Sequence, residues 1–137
     1  MRTSLSIALA LLCVTTVAAA QDFDSEGEAA MLARVNALRA ESHLAPLTRV
    51  GELDAVARAH STEMASQGQL AHVSAATGTP EDRVRRAGIA AQSIAENVAL
   101  HQDSARALEA LLASPSHRAN ILSADVSQIG LGAVRTP

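Results

Sequence analysis

Among the histidines and carboxylates of this 137-residue sequence, His72, Glu96 and His117 are three whose types metal and proton chemistry use. Two neutral imidazoles and one carboxylate suit a divalent ion such as zinc, which accepts nitrogen and oxygen donors at about 2.0–2.2 Å and can keep a fourth position for water. Water on such an ion is acidified enough to hydrolyse a substrate. His72 precedes Glu96 by 24 positions and Glu96 precedes His117 by 21. These gaps are unlike the local H-E-x-x-H motif, so spacing alone does not gather the three. Ser114 or Ser116 beside His117 would be the start of a serine hydrolase. Neighbours on one tight turn seldom align their reactive atoms, however, and no oxyanion motif accompanies them.

The elements that must position these residues can be read from periodicity and caps. Gln69 to Thr79 is a connection, which leaves His72 free of any apolar stripe. Gln92 to Leu100 has the pattern of a strand with Ile94, Glu96, Val98 and Leu100 on one face. A carboxylate in an apolar row is costly unless paired, so Glu96 needs a partner or an open cavity. Asn97 beside it can serve the backbone through its amide. Ser114-Pro115 starts a short helix through Ile121 and Leu122, with His117 in its first turn.

Around these, S-E-G-E from Ser25 reads as a capping box opening a helix with Met31, Leu32, Val35 and Leu38, which ends near Ser42 ahead of Pro46. A second helix spans about Glu52 to Gln67, and Gly68 is its stop. His60 lies on the apolar stripe of that helix with Leu53, Val56, Ala57 and Met64, the place of a core histidine rather than a ligand. His43 and His101 sit at element ends and carry no signal. Thr79 caps a short helix with Pro80 in its first turn and an end at Gly88. Asp103 or Ser104 caps a helix with Leu108, Leu111 and Leu112, and I-G-L-G-A-V near the C-terminus is a strand.

The first twenty residues join Arg2, an apolar run from Leu5 to Val17 and Ala18-Ala19-Ala20, the three parts of a secretory signal peptide. The run is short of the about 20 residues a membrane-spanning helix needs. Leu12 before Cys13 argues against lipid attachment, so cleavage is expected after Ala20. That cleavage removes the sole cysteine and leaves 10 basic against 14 acidic residues, a net charge of −4. Without disulfides, stability must come from burial in a single core. All basic residues are Arg, the one basic cluster is Arg83, Arg85 and Arg86, and the sole aromatic is Phe23. Such a surface excludes phosphate tracking with base stacking and carbohydrate platforms alike.

Several separated pieces fit one pattern: N-A-L-R-A-E-S-H-L-A-P-L, A-R-A-H-S-T-E-M-A, L-A-H, A-E-N-V-A, S-P-S-H-R-A-N-I-L and I-G-L-G-A. In this order they resemble the bacterial branch of the CAP superfamily, the SCP-like extracellular proteins, over residues 30–134. The resemblance implies an α+β fold, an α-β-α sandwich with helices flanking a small antiparallel sheet. It also implies a central cavity with two histidines and two acids, whose matching positions are His72, Glu96 and His117. The second acid falls near Ser114 and is missing here. Ala95 and Ser116 stand where glycine is frequent, and Leu111 where a Trp is common. The resemblance implies one further strand past I-G-L-G; this sequence stops first, so either it is a truncation, natural or of the gene model, or its sheet has an unusually exposed edge.

The expectation is therefore a signal peptide over 1–20, an N-terminal segment over 21–29 and a CAP/SCP-like domain over 30–137. It would be secreted, to a periplasm or beyond the cell, and would bind a protein, lipid or small molecule without catalysis. No catalytic residue and no organic cofactor is expected, no nucleic acid and no stable membrane insertion after cleavage. His72, Glu96 and His117 would hold a divalent metal such as zinc. Two alternatives are a metal-assisted hydrolase acting on peptides or cell-envelope material, and a small lipid carrier.

Overall fold

The computed structural model describes residues 9–15 and 22–136. Arg2, the cleavage position after Ala20 and Gln21 lie outside the described residues. Among the described residues ten elements follow one another: β1 (Leu9–Thr15), β2 (Asp22–Phe23), α1 (Ser25–Glu41), β3 (Thr48–Arg49), α2 (Gly51–Gln67), α3 (Pro80–Arg86), β4 (Ala95–Leu100), α4 (Ser104–Ala113), α5 (Pro115–Ile121) and β5 (Gln128–Arg135).

The helices start and stop largely where their end signals lie. Thr79 and Asp82 form a reciprocal capping box at α3, and Gly68 ends α2 in the left-handed conformation. Asp103 caps α4 through the Arg106 N–H. At α1 the cap is Asp24 rather than Ser25: its carboxylate accepts from the Gly27 N–H at 3.1 Å.

The sheet is sandwiched between helices. Ile129, Leu131 and Ala133 of β5 and Ala99 of β4 join Met31, Val35, Leu108, Leu111 and Ile121 in the main core, beneath α1, α4 and α5. The alternate residues of β5 are Gly130 and Gly132, and α2 lies on them. A Cβ at Gly130 would strike the Leu53 carbonyl, and one at Gly132 the backbone of Ala57 and Arg58. Missing side chains thus let a helix backbone approach a strand. The buried Ser61 hydroxyl then donates to the Gly132 carbonyl at 2.6 Å. Leu53 and Val84 pack with Val50, Val56, Ile89 and Ile94 on this second face.

The α-β-α sandwich is as the resemblance implies, but the sheet is mixed rather than antiparallel. Its order is β2-β5-β1-β4, with β3 also on β5. β1 runs parallel to both β4 and β5; β3 is parallel to β5 and β2 antiparallel to it. A strand joined to β5 by a tight turn would have to run antiparallel, whereas one arriving from elsewhere in the chain is free to run parallel. No described strand follows β5, yet β5 is not an edge. On one side it holds β1, in register Leu9↔Ile129 through Thr15↔Arg135. On the other it meets β2 and β3, and between them the Leu131 N–H goes to Asp54 Oδ1 (2.8 Å) and the Ala133 N–H to Glu28 Oε1 (3.1 Å). Glu28 is fully buried and is held by Arg49 (2.5 Å) and Arg58 (2.5 Å).

Candidate functional site

β4 places Glu96 on the α2–α3 face of the sheet, while its neighbours Asn97 and Ala99 face the main core. The apolar row expected around Glu96 is not the buried one: Leu100 is 53 % exposed, and Asn97 is fully buried. Asn97 does serve the backbone. Its amide donates to the His117 carbonyl at 2.9 Å and accepts from Asn120 at 2.8 Å, fixing α5 against β4.

Glu96 has the partner its burial requires, and that partner is Arg83. The Glu96 and Arg83 side chains are each only 5 % exposed, and Arg83 donates to Glu96 Oε2 at 2.6 Å. The same guanidinium reaches the His72 carbonyl (3.0 Å) and the Gly78 carbonyl (2.8 Å). The other carboxylate oxygen, Oε1, meets His72 Nδ1 at 2.9 Å. His72 is half exposed. One buried carboxylate therefore bridges a buried cation and an exposed imidazole.

The loop carrying His72 is locked from below. Ser74 and Gly78 pair their backbones, and the Ser74 hydroxyl accepts from the Ala76 and Thr77 amides. Glu63 of α2 accepts from the hydroxyls of Ser74 and Thr77. The Ser74 hydroxyl holds the Glu63 carboxyl below its ordinary value, against the opposing effect of burial, and Thr77 and His60 add to the lowering. His60 is buried as its place on the stripe predicts, with Nε2 2.7 Å from the Ala71 carbonyl. On this rigid loop Leu70 (42 %) and Val73 (63 %) are exposed on either side of His72.

The structure thus brings His72 and Glu96 together, whereas the His117 ring hydrogen-bonds to neither among the described residues. Ser114 and Ser116 hydroxyls lie 3.3 Å from each other. As placed, the trio supplies two ligating side chains, with both Glu96 oxygens engaged and a guanidinium on one of them. That arrangement does not fit a divalent ion. Among the described residues no group of three or more His, Cys, Asp or Glu side chains is gathered to hold a metal. Under Glu96 lies a cavity of about 20 Å³ lined by Leu53, Val56, Val84 and Ile94, room for one water. Any larger ligand meets the exposed rim. Arg83 is the residue missed by sequence reasoning: inside an R-x-R-R cluster it reads as solvated.

The profile of the cysteine-rich secretory protein family, CAP, matches residues 32–137. The chain belongs to that family. A relative at 33 % identity over 102 residues is the uncharacterized protein YkwD of Bacillus subtilis (strain 168), aligned over 74 % of this chain and 40 % of the relative. The uncharacterized membrane protein YlbC of the same organism is 31 % identical over 109 residues, 79 % of this chain and 32 % of its own length. The chain spans less than half the length of either. Among solved structures, an extracellular SCP-domain protein from Bacillus anthracis str. Ames superposes with a TM-score of 0.76 at 29 % identity, covering 79 % of this chain and 37 % of that one. An outer surface protein from Borrelia burgdorferi shares the fold, with a TM-score of 0.65 at 20 % identity over 80 % and 82 % of the two chains. Among the described residues no helix is long and apolar enough to cross a membrane.

Proposed function

We propose that this chain is a secreted, non-catalytic CAP-type binding domain that recognises a protein partner through the His72 loop. The observation that carries this is a half-exposed imidazole between exposed Leu70 and Val73, on a loop clamped by Arg83 and Glu63. Apolar groups held rigidly in the open lose little entropy on binding, which is what an interface anchor needs. The signal-peptide character of residues 1–20 and the extracellular SCP relative support secretion.

The metal reading requires His117 to close on Glu96 and Arg83 to withdraw, because a guanidinium beside the carboxylate repels a divalent ion. The hydrolase reading rests on that metal. The lipid-carrier reading has as its foothold a groove of about 500 Å³ between α1 and α4, lined by Met31, Leu108 and Leu112.

A photo-crosslinking side chain at Val73, compared with one at Arg118, tests the proposal. Incubation with the producing cell's secreted and surface proteins should yield a discrete protein adduct from Val73 alone. His72→Ala should weaken that adduct without altering the melt. Absence of an adduct, together with peptide or ester turnover abolished by Glu96→Gln or lipid co-purifying by mass, would replace the proposal with one of the alternatives.

A further inference from the structure

We propose that His60 and Glu63 form a proton-operated latch beneath the His72 loop, tight when the His60 ring is charged and slack when it is neutral. The His60 side chain, on α2, is 1 % exposed. Its Nε2 stands 2.7 Å from the Ala71 carbonyl. A carbonyl oxygen only accepts, so Nε2 carries a hydrogen and the neutral ring keeps its bare lone pair on Nδ1. Among the described residues that buried Nδ1 has no hydrogen-bond partner. What faces it is the Glu63 carboxylate, one turn along the same helix, with Oε2 at 3.6 Å. A lone pair set against an anion is a contact that one proton reverses in sign. Nδ1–H then points at Glu63, and a small movement closes a charge-assisted bond.

Glu63 stays charged across the range in which histidines ordinarily change charge, because the Ser74 hydroxyl holds its carboxyl below the ordinary value. The other charged groups on and around α2 are committed elsewhere. Arg83 of α3 and His72 of the loop go to Glu96, Arg135 of β5 to Asp24, and Arg58 of α2 itself to Glu28. β1, L-A-L-L-C-V-T, carries no Asp, Glu, His, Lys or Arg. Two anchors of the loop hang from this pair. The carbonyl of Ala71 rests on His60 while its N–H rests on the Met64 sulfur at 3.4 Å, and the hydroxyls of Ser74 and Thr77 both donate to Glu63. One proton therefore tightens both: it draws the ring to Glu63 and turns the Ala71 contact into a bond from a cation. Between the anchors stand His72 and the exposed Val73. Mild acid holds that rim rigid and neutral solution loosens it. The bearing on recognition rests on the reading that this loop meets a protein partner; the latch itself does not.

Amide hydrogen exchange of the full chain at about pH 5.5 and about pH 8, taken as protection over each amide's intrinsic rate, reads the latch with no partner present. The amides of Ala71, Ser74 and Gly78 should be at least about threefold better protected at the lower pH. Nitrogen shifts of the His60 ring should show the Nε2–H tautomer at the higher pH and the charged ring at the lower. His60→Gln keeps a donor for Ala71 but gains no charge, and Glu63→Gln keeps an acceptor for Ser74 and Thr77 but carries none. Both should level the protection, whereas His72→Ala should leave its pH dependence intact. If His60→Gln does not fold, Glu63→Gln and the ring shifts decide alone. Equal protection at both pH values in the parent, or a ring still neutral at the lower one, would overturn the latch. A pH dependence that survives His60→Gln and disappears in His72→Ala would overturn it too. A Val73 adduct formed equally at both pH values, with protection changing, would overturn the regulatory half alone. No adduct at either pH would defeat the recognition reading and leave the latch standing on its exchange data.

Discussion

Arg83→Met should be among the most damaging substitutions on the α2–α3 side of this protein, and its cost can be worked from the geometry. The guanidinium is 5 % exposed and ends on Glu96, which is equally buried, and on the carbonyls of His72 and Gly78. Methionine fills much of the volume but leaves the Glu96 charge paired only to an exposed imidazole. Removing one member of a buried pair costs about 3–5 kcal/mol; the half-exposed His72 side offers some water, which points to the lower end. With an unfolding entropy of about 2.1 cal/mol/K per residue over roughly 120 residues, ~3 kcal/mol lowers the midpoint by about 12 °C. Thermal unfolding of the full chain by circular dichroism measures this. The decisive comparison is the double variant Arg83→Met with Glu96→Gln. Removing the orphaned charge should restore at least about 1.5 kcal/mol, since replacing both partners of a buried pair is often near neutral. A single variant melting within about 4 °C of the parent, or a double variant with strictly additive losses, would refute the claim that Arg83 is the counter-charge of Glu96.

Other outcomes follow from the same geometry. Zinc at a hundredfold excess over a site's Kd would add about 2.7 kcal/mol of stability; the parent melt should not move, and Arg83→Met should gain more from zinc than the parent does, with His72→Ala as the control. Any zinc effect should be weaker at pH 5 than at pH 7.5, because imidazoles must shed protons to ligate. Glu28→Ala should cost about 3 kcal/mol by urea unfolding, because it leaves Arg58 and the buried Ala133 N–H without their partner, while Arg49 keeps Asp54. Glu63, Asp82 and Asp24 all titrate below their ordinary values when folded, Glu63 through Ser74 and Asp82 through the Thr79 amide. At Asp24 burial opposes the lowering but Ser104, Gly27 and Arg135 outweigh it. Their stabilisation is thus present above the ordinary carboxylate range and is lost as pH falls below about 4.5. Urea midpoints across the acid range should drop there, with a shallower fall in Glu63→Gln.

The helices were legible because their signals are local. Gly68, the Thr79–Asp82 box and the leucine stripe of α4 each act within one turn, and each element formed where those residues lie. His60 and Asn97 were legible for the same reason: a histidine on an apolar stripe and an amide in a strand ask for backbone partners, and both have them. What failed depends on the third dimension. Alternation assigned β4 two faces but could not say which was covered, since Glu96 is shielded by α3 while Leu100 on the same row runs out to solvent. Arg83 was opaque because Arg83, Arg85 and Arg86 are chemically alike, and only the position of β4 distinguishes them. The direction of the sheet was opaque because it depends on β1, whose apolar composition reads as a leader whether or not it also pairs.

The hydrogen bonds of α1 reach unusually far along the chain. Arg39 donates to the carbonyls of Ile121 (2.9 Å) and Ser123 (2.8 Å), Glu28 accepts from Ala133, and Asp24 pairs with Arg135. Two of these groups, Arg39 and Glu28, are charges with no exposure to speak of, so α1 is settled only with the segment from Ile121 to Ala133 in place to receive them. Contacts of such sequence separation slow folding, because the intervening loop must be closed before they contribute. The two buried charges near the start of the domain thus make its first helix depend on the segment after Ile121, so the two should order together.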